Sequence, residues 1–300
     1  MWPYSRRILD WHAKCPQNPQ TFSQHIVYRM HKDHNPLHVE MEDKYAARGI
    51  VESKNACRLP KLYHWTTTLP VRLPWDELPK RCVIKTNHWS GDGLFIIDEE
   101  EESLLDISNI ASIPEIYRII RGGKDQFGVK WSHRKMERKL GRLVKRHFPR
   151  PIEWATQQIE PRGVMVEELL IDGEGQLPPD YKMHCFHGKV GFIQADFDRF
   201  SNHTQNIHLV DGSRINQTNP KIAPATHISN LVDVIGNESL TELVKAAELL
   251  SEDIDHVRVD FFLVNGEVVF GEFTTYHHSG HPQSKEWDEL GGKLWSKLTK

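Results

Sequence analysis

The chain has 300 residues, of which 38% are hydrophobic and 26% are charged, so it is long enough for a well-buried core or for two or three lobes around a cleft. The net charge of −3 argues against nucleic acid as a partner. No run approaches the ~18 apolar residues of a membrane span, and we expect neither a membrane helix nor a signal peptide. The four scattered cysteines predict reduced thiols in a cytoplasmic protein: Cys15, Cys57, Cys82 and Cys185.

The first half of the chain alternates short predicted helices with proline-rich loops. Helices are predicted at residues 4–14 and 22–32, and Asp43 is a suitable cap for a third at 44–53. Two strands follow, one that ends near Lys85 and one at 93–97. Pro114 then occupies the first turn of a helix predicted over 114–124.

A strongly basic helix is predicted over residues 131–147. Its apolar positions form one face, namely Met136, Leu140, Leu143 and Val144, and most of the remaining residues are lysine or arginine. Two interpretations stay open for the basic side. It is either a solvated surface or a wall that faces an anionic substrate.

The second half of the chain favours antiparallel strands. An apolar strand at 163–171 carries Glu167 and Glu168, and two hairpins enclose a helix at 239–251. The hairpins cover residues 181–195 and 257–274, with turns at His187-Gly188 and Asn265-Gly266. The pattern predicts an α+β fold rather than the regular alternation of a doubly wound sheet.

The loop after Lys85 has the composition of a phosphate-binding segment. A strand end fixes the Lys85 ammonium, and the small residues of the loop allow backbone N–H groups to approach phosphate oxygens. Those small residues are Ser90, Gly91 and Gly93. The same Gly-Asp-Gly sequence is also typical of an ordinary turn.

Charged residues interrupt the apolar last hairpin. Arg258 and Asp260 are two residues apart and therefore share a face. We predict a three-residue turn at 264–266, because that register places Glu272 opposite Arg258 and next to Asp260. Two converging carboxylates predict a site for a hard divalent metal, and a purely structural ion cluster is the alternative.

In this order, the motifs resemble the ATP-grasp enzymes, specifically the branch named for the teichuronopeptide biosynthesis protein TupA. The resemblance extends from about residue 19 to residue 290. It is carried by DHNPL at 33–37, DKYAAR at 43–48, VIKTNH at 83–88, VEELL at 166–170, DYK at 180–182, DFDRF at 196–200, VRVD at 257–260 and GEFT at 271–274. Thr86 and Trp89 depart from the usual Pro and Gly of the lysine loop.

The resemblance implies a fold in which two α+β lobes clasp ATP, with antiparallel hairpins and an N-terminal helical segment. It divides the chain into a helical lead-in at 1–78, a small lobe with the phosphate loop at 79–165, and a C-terminal lobe with the metal site at 166–300. It also implies a reaction in which ATP phosphorylates a carboxylate and an amine attacks the acyl phosphate. Such chemistry depends on electrostatic clamping rather than on a protein nucleophile.

The resemblance also implies roles for individual residues. Lys44 and Lys85 contact the phosphates, and Ser90, Gly91 and Gly93 cover them. Asp260 and Glu272 hold Mg²⁺, while Arg258 and Lys182 meet the transferred phosphoryl group. The hinge that lines the adenine consists of Glu167, Glu168, Leu169 and Leu170.

The substrate is expected to be a sugar acid or an amino acid that is joined to an amine, because this branch is associated with cell-surface polysaccharides. An anionic glycan or a nucleotide-sugar is a further possible partner. Candidate residues of the acceptor site are Arg199, His203, His277 and His278, together with His281.

Three alternatives from other classes stay open. Asp196 and Asp198 form a D-x-D pattern like that of metal-dependent glycosyltransferases. The histidines at 31, 34 and 38, or those at 277, 278 and 281, are candidate zinc ligands. A glycan-binding relative without catalytic activity is the third alternative.

Overall fold

A computed structural model describes residues 10–101, 117–173, 175–198, 202–215, 222–282 and 284–296. Within these ranges, no helix combines the length and the apolar character needed to cross a bilayer. Two β-sheets organise the described chain. Each sheet uses one face for a hydrophobic core and part of the other face for a shared cavity.

The smaller sheet has five strands in the spatial order β1-β5-β2-β3-β4. All neighbours are antiparallel except the parallel pair β3 and β4. The strands are β1 (Leu62–Thr66), β2 (Arg81–Thr86), β3 (Leu94–Asp98), β4 (Tyr117–Ile120) and β5 (Val164–Glu167).

The larger sheet has six antiparallel strands in the order β11-β10-β6-β7-β8-β9. The two hairpins predicted from the sequence form its centre and one edge. The strands are β6 (Asp180–Phe186), β7 (Lys189–Phe197), β8 (Thr204–His208), β9 (Arg214–Ile215), β10 (His256–Val264) and β11 (Glu267–Thr274).

Seven α-helices whose bounds lie within the described residues pack against the two sheets. They are α1 (Phe22–Lys32), α2 (Pro36–Glu42), α3 (Ala47–Lys54), α4 (His133–Val144), α5 (Trp154–Gln158), α6 (Val232–Leu250) and α7 (Lys285–Ser296). α4 packs on the smaller sheet through Met136 and Leu140. α6 packs on the larger sheet through Leu240, Leu243 and Leu250.

The two-residue period of the strands separates packing positions from cavity positions. In β10, Val257, Val259 and Phe261 belong to the core beneath α6. The alternating residues Arg258 and Asp260 therefore face the other way. β2 follows the same rule in the smaller sheet, since Ile84 packs beneath α4 whereas Val83 and Lys85 line the cavity.

Most of the predicted elements are confirmed, and one is wrong. The helix at 22–32 has the predicted bounds, and a Thr21 capping box starts it. Of the helix predicted over 114–124, residues 117–120 form strand β4 instead, because Ile119 and Ile120 pair with β3 and are buried beside it, whereas residues 114–116 lie outside the described ranges. The predicted helix at 4–14 lies mostly outside the described residues.

The N-terminal segment 1–78 contributes to both sheets. β1 is an edge strand of the smaller sheet, whereas Met41, Ala47 and Val51 join the core of the larger sheet. The three-part division of the chain itself stays a prediction.

Buried histidines predict a pH-dependent stability. Burial holds the pKa of His184, His256 and His277 well below the ordinary 6.5, so these rings are neutral in the folded protein. The unfolded chain binds more protons below pH 6.5, and the free energy of unfolding therefore falls as the pH drops through that value. Above pH 6.5 the free energy of unfolding is fully retained.

We expect His256→Phe to weaken this dependence by about 1.4 kcal/mol per pH unit below the ordinary histidine pKa. The phenyl ring keeps the stacking contact with Trp295. The measurement is urea unfolding at a series of pH values, with His147→Phe, at an exposed position, as the control. A His256→Phe protein with the wild-type pH dependence would show that this ring is not held neutral.

Candidate active site

A cavity of about 330 Å³ lies between the cavity faces of the two sheets. One end is apolar and the other is charged, so a single ligand with an aromatic body and an anionic tail matches it. Val83, Ile96 and Ile119 of the smaller sheet line the apolar end, together with Leu170 and Phe262.

The predicted hinge, residues 167–170, borders this apolar end, and all four of its residues line the cavity. Glu168 points toward the N-terminal segment, where its carboxylate accepts from Arg58 Nη1 at 2.7 Å and from the Lys61 N–H at 2.9 Å. Burial opposes ionisation there, but these hydrogen bonds hold the pKa of Glu168 below its ordinary value. Leu169 and Leu170 supply apolar surface.

Two of the predicted phosphate-binding cations lie at the charged end. Lys85 forms an ion pair with Glu167, and Arg48 Nη1 lies 3.9 Å from the same carboxylate. Lys44 Nζ lies 3.7 Å from Glu272 Oε2. The lysine strand of the smaller sheet and the N-terminal segment therefore converge on one part of the cavity.

The last hairpin has a two-residue turn, so the predicted three-residue turn is wrong. Val264 pairs directly with Glu267, and Asn265 and Gly266 both have positive φ, at 54° and 81°. Both central residues of a type I′ turn have this conformation, and it suits the twist of adjoining strands.

A β-bulge at Gly271 brings the carboxylates together instead. The register shifts between Asp260 and Phe261, so Asp260 pairs with Glu272 while Phe261 pairs with Phe270. A Cβ on Gly271 would lie 3.0 Å from the Asp260 carbonyl oxygen, which explains the glycine. The predicted proximity of the two acidic residues therefore holds, with Asp260 rather than Arg258 opposite Glu272.

Arg258 lies between the two carboxylates. Its Nε and Nη2 donate to the two oxygens of Asp260, each at 2.6 Å, and Nη2 lies 3.6 Å from Glu272 Oε1. Burial opposes the positive charge, but the carboxylates outweigh it and raise the pKa of Arg258. His277 receives the third contact, from Nη1 to its Nδ1 at 3.0 Å.

Lys182 completes the charged end from the next strand. It pairs with Asp260 in the sheet register, and its Nζ lies 2.7 Å from Asp196 and 3.3 Å from Asp180. Asp196 also accepts from Gln194 and Gln205 and contacts His203. Burial opposes its ionisation, but Lys182 and these polar groups hold the pKa of Asp196 well below its ordinary value.

These contacts engage both oxygens of Asp196, and the D-x-D interpretation stays a prediction. Asp198 lines the cavity.

The glycine-bearing loop lies away from the cavity in this structure. Gly93 packs against Leu143 of α4, and Asp92 pairs with Lys139 at 2.6 Å. Ser90 and Gly91 do not line the central cavity either. Their assignment to phosphate binding stays a prediction.

Two of the predicted acceptor residues lie beside the charged end of the cavity. His203 contacts Asp196, His277 contacts Arg258, and His278 is exposed. Arg199 lies outside the described residues. Asp180 and Arg48 were not singled out from the sequence, although both stand inside motifs that carry the family resemblance.

The geometry does not support the zinc alternatives. His31 contacts the His12 carbonyl oxygen at 2.7 Å, whereas His34 stacks on Trp154. Within the described ranges, one three-residue group has ligand atoms close enough for a metal: Asp33, His38 and Asp255. Arg29 already forms an ion pair with Asp255 at 2.6 Å, which offsets part of the negative charge of this group.

The donor set at Asp260 and Glu272 fits a hard divalent cation. Carboxylate oxygens are the ligands that Mg²⁺ prefers, and two of them project from adjacent rigid strands. The apolar end matches the base of a nucleotide, and Lys44 and Lys85 at the charged end match its phosphates.

Comparisons with known proteins bear on this arrangement. No curated protein matches the sequence. Among solved structures, D-alanine–D-alanine ligase from Bacillus anthracis in complex with ATP is similar with 15% identity and a TM-score of 0.40, over 85% of this chain and 63% of that one. The D-Ala:D-Ser ligase VanG from Enterococcus faecalis shares 13% identity with a TM-score of 0.38, over 79% and 52%.

The ADP complex of N5-carboxyaminoimidazole ribonucleotide synthetase shares 10% identity with a TM-score of 0.41, over 79% of this chain and 45% of that one. The chain thus spans less than two thirds of the length of these proteins. The profile of the TupA-like ATPgrasp family matches residues 24–295, which is most of the chain. The protein therefore belongs to the TupA-like ATP-grasp family and has the ATP-grasp fold.

Proposed function

We propose that the protein is a cytoplasmic ATP-dependent carboxylate–amine ligase. It joins an amine or amino acid to a sugar acid through an acyl phosphate, in the synthesis of a cell-surface polysaccharide. The observation that carries this proposal is the position of Arg258 between Asp260 and Glu272, in the cavity that Lys44 and Lys85 also line.

The cavity accounts for nucleotide binding in two parts. The apolar residues of the smaller sheet take the adenine, and Lys44 and Lys85 take the phosphates, where charge-assisted hydrogen bonds are strongest. Asp260 and Glu272 hold Mg²⁺, which neutralises charge on the phosphate oxygens when it is bound.

Arg258 and Lys182 serve the transfer itself. A carboxylate oxygen of the acceptor attacks the γ-phosphorus, the bond to the bridging oxygen breaks, and ADP leaves. Arg258 stabilises the negative charge of the transferred group, and Lys182 orients the acceptor carboxylate. The amine nitrogen then attacks the acyl carbon, phosphate departs, and the amine loses its proton to solvent.

The defining experiment combines purified protein, ATP and Mg²⁺ with sugar acids and amino acids in pairs. A ligase forms ADP and a product of the expected mass only when both partners are present. Consumption of a sugar nucleotide would identify a glycosyltransferase, and binding without turnover would identify a glycan-binding relative.

The metal assignment predicts a loss of turnover in Asp260→Asn and Glu272→Gln. We expect ADP formation to fall by about 100-fold or more, because an amide does not replace the ligand charge. Glu272→Gln is the more informative variant, since its side chain is 38% exposed and the change disturbs folding little. The control is Glu238→Gln on α6, and full turnover of Glu272→Gln at ordinary Mg²⁺ would refute the assignment.

The phosphate assignment predicts that Lys85→Ala binds ATP at least about tenfold more weakly, because one charge-assisted contact is lost. The measurement is titration with a fluorescent ATP analogue in the absence of acceptor. Lys80→Ala is the matched control, since Lys80 is an exposed lysine shortly before β2. Equal affinity of both variants would place the triphosphate elsewhere.

A further inference from the structure

A second cavity, of about 320 Å³, lies along α4 and shares no lining residue with the central cavity. We call it the basic groove. One carboxylate, that of Asp92, faces five cations there. The complete lining is Asp92, Trp131, Lys135, Arg138, Lys139, Arg142, Leu143 and Arg146.

The five cations form one row. Lys139, Arg142 and Arg146 follow Lys135 at spacings of three or four residues, and Arg138 stands three residues after Lys135 and four before Arg142. All five therefore project from the same side of α4 and its C-terminal extension. The row from Lys135 to Arg146 spans about 16 Å along the helix axis at about 1.5 Å per residue. Like charges at these spacings repel one another, and α4 withstands this through its Ser132 cap and its buried apolar face.

Among the described residues, carboxylates neutralise only part of this charge. Asp92 pairs with Lys139 at 2.6 Å, and Lys135 donates to the Lys130 carbonyl oxygen. The other three cations are exposed and form no ion pair with a carboxylate of the described ranges: Arg138, Arg142 and Arg146. Most other described arginines have such a partner, for example Arg81 and Arg121, which both bind Asp98.

We propose that the basic groove binds a linear polycarboxylate chain. Arginine guanidinium groups form bidentate hydrogen bonds with carboxylates, and a row of them matches a chain that repeats its negative charges. A compact anion would contact only part of a 16 Å row. The site is therefore built for a chain rather than for a single small molecule.

The same surface is poorly suited to nucleic acid. Single-stranded nucleic acid relies on open aromatic faces for base stacking. The Trp131 ring offers none, because Lys135 Nζ lies 4.2 Å above it and Phe95 packs against it. Its indole N–H donates to Asp125 at 2.8 Å.

The groove adjoins the segment that leads to the central cavity. Lys85 lines that cavity, and Asp92 of the following loop lines the groove. His88, three residues after Lys85, contacts the groove side, since its Nε2 lies 3.0 Å from the Arg146 carbonyl oxygen. The polycarboxylate is then the acceptor chain of the ligase. This role rests on the proposed function, whereas the binding site itself does not depend on that function.

The test measures binding of a galacturonic acid oligomer by calorimetry at low salt. We expect Arg138→Gln/Arg142→Gln to weaken binding by about tenfold or more, because two charge-assisted contacts are lost. The matched control is Arg134→Gln/Lys145→Gln, which removes two exposed cations of the same segment that do not line the groove. Both double variants should bind the fluorescent ATP analogue as the wild type does.

Three outcomes would overturn the inference: no binding of the oligomer to the wild type, equal weakening in both double variants, or oligothymidylate of equal charge binding as tightly as the galacturonate oligomer. Failure of the proposed function is separable from this. Groove-dependent binding without ADP formation would leave the site in place and remove the ligase assignment. ADP formation without any oligomer binding would remove the site and leave the ligase assignment in place.

Discussion

The buried guanidinium of Arg258 is the interaction on which the candidate site depends. A charge in this position is costly unless it is fully paired, and the protein pairs it with Asp260 in bidentate geometry and with Glu272 at a longer distance. Hydrophobic residues of the same volume would hold the hairpin together at least as well. An ion cluster in the larger sheet is therefore weak evidence for stability, which agrees with the proposed role of Arg258 in the transfer.

Strand alternation made much of this site predictable from the sequence. Arg258 and Asp260 were assigned to one face because they are two residues apart, and the structure places them there. The position of Glu272 depended on the register of the hairpin, which the turn alone does not fix. A bulge at Gly271 changes the register within the strand, and its signal in the sequence, one glycine between Phe270 and Glu272, is equally typical of a plain strand.

Long-range contacts explain where the sequence was less informative. Residues 117–120 adopt a strand because a parallel neighbour, β3, is available, and no local pattern reveals that neighbour. The glycine loop was identified by composition, but its position against α4 depends on Leu143, some fifty residues further along the chain. The family resemblance supplied the order of the motifs, whereas the partners of Lys44, Lys85 and Lys182 became visible only in three dimensions.

Asn87, which follows directly after β2, ties three parts of the chain together. Its side chain donates to Asp43 at 2.9 Å and accepts from the Gly163 N–H at 2.9 Å, while its carbonyl oxygen accepts from the Lys44 N–H at 3.0 Å. Asp43 and Lys44 directly follow α2, which packs on the larger sheet, whereas Gly163 directly precedes β5 of the smaller one. If one sheet rotates relative to the other while these three hydrogen bonds are kept, the pivot lies at Asn87. The far rim of the cleft then travels furthest, and Lys44 stays nearly stationary.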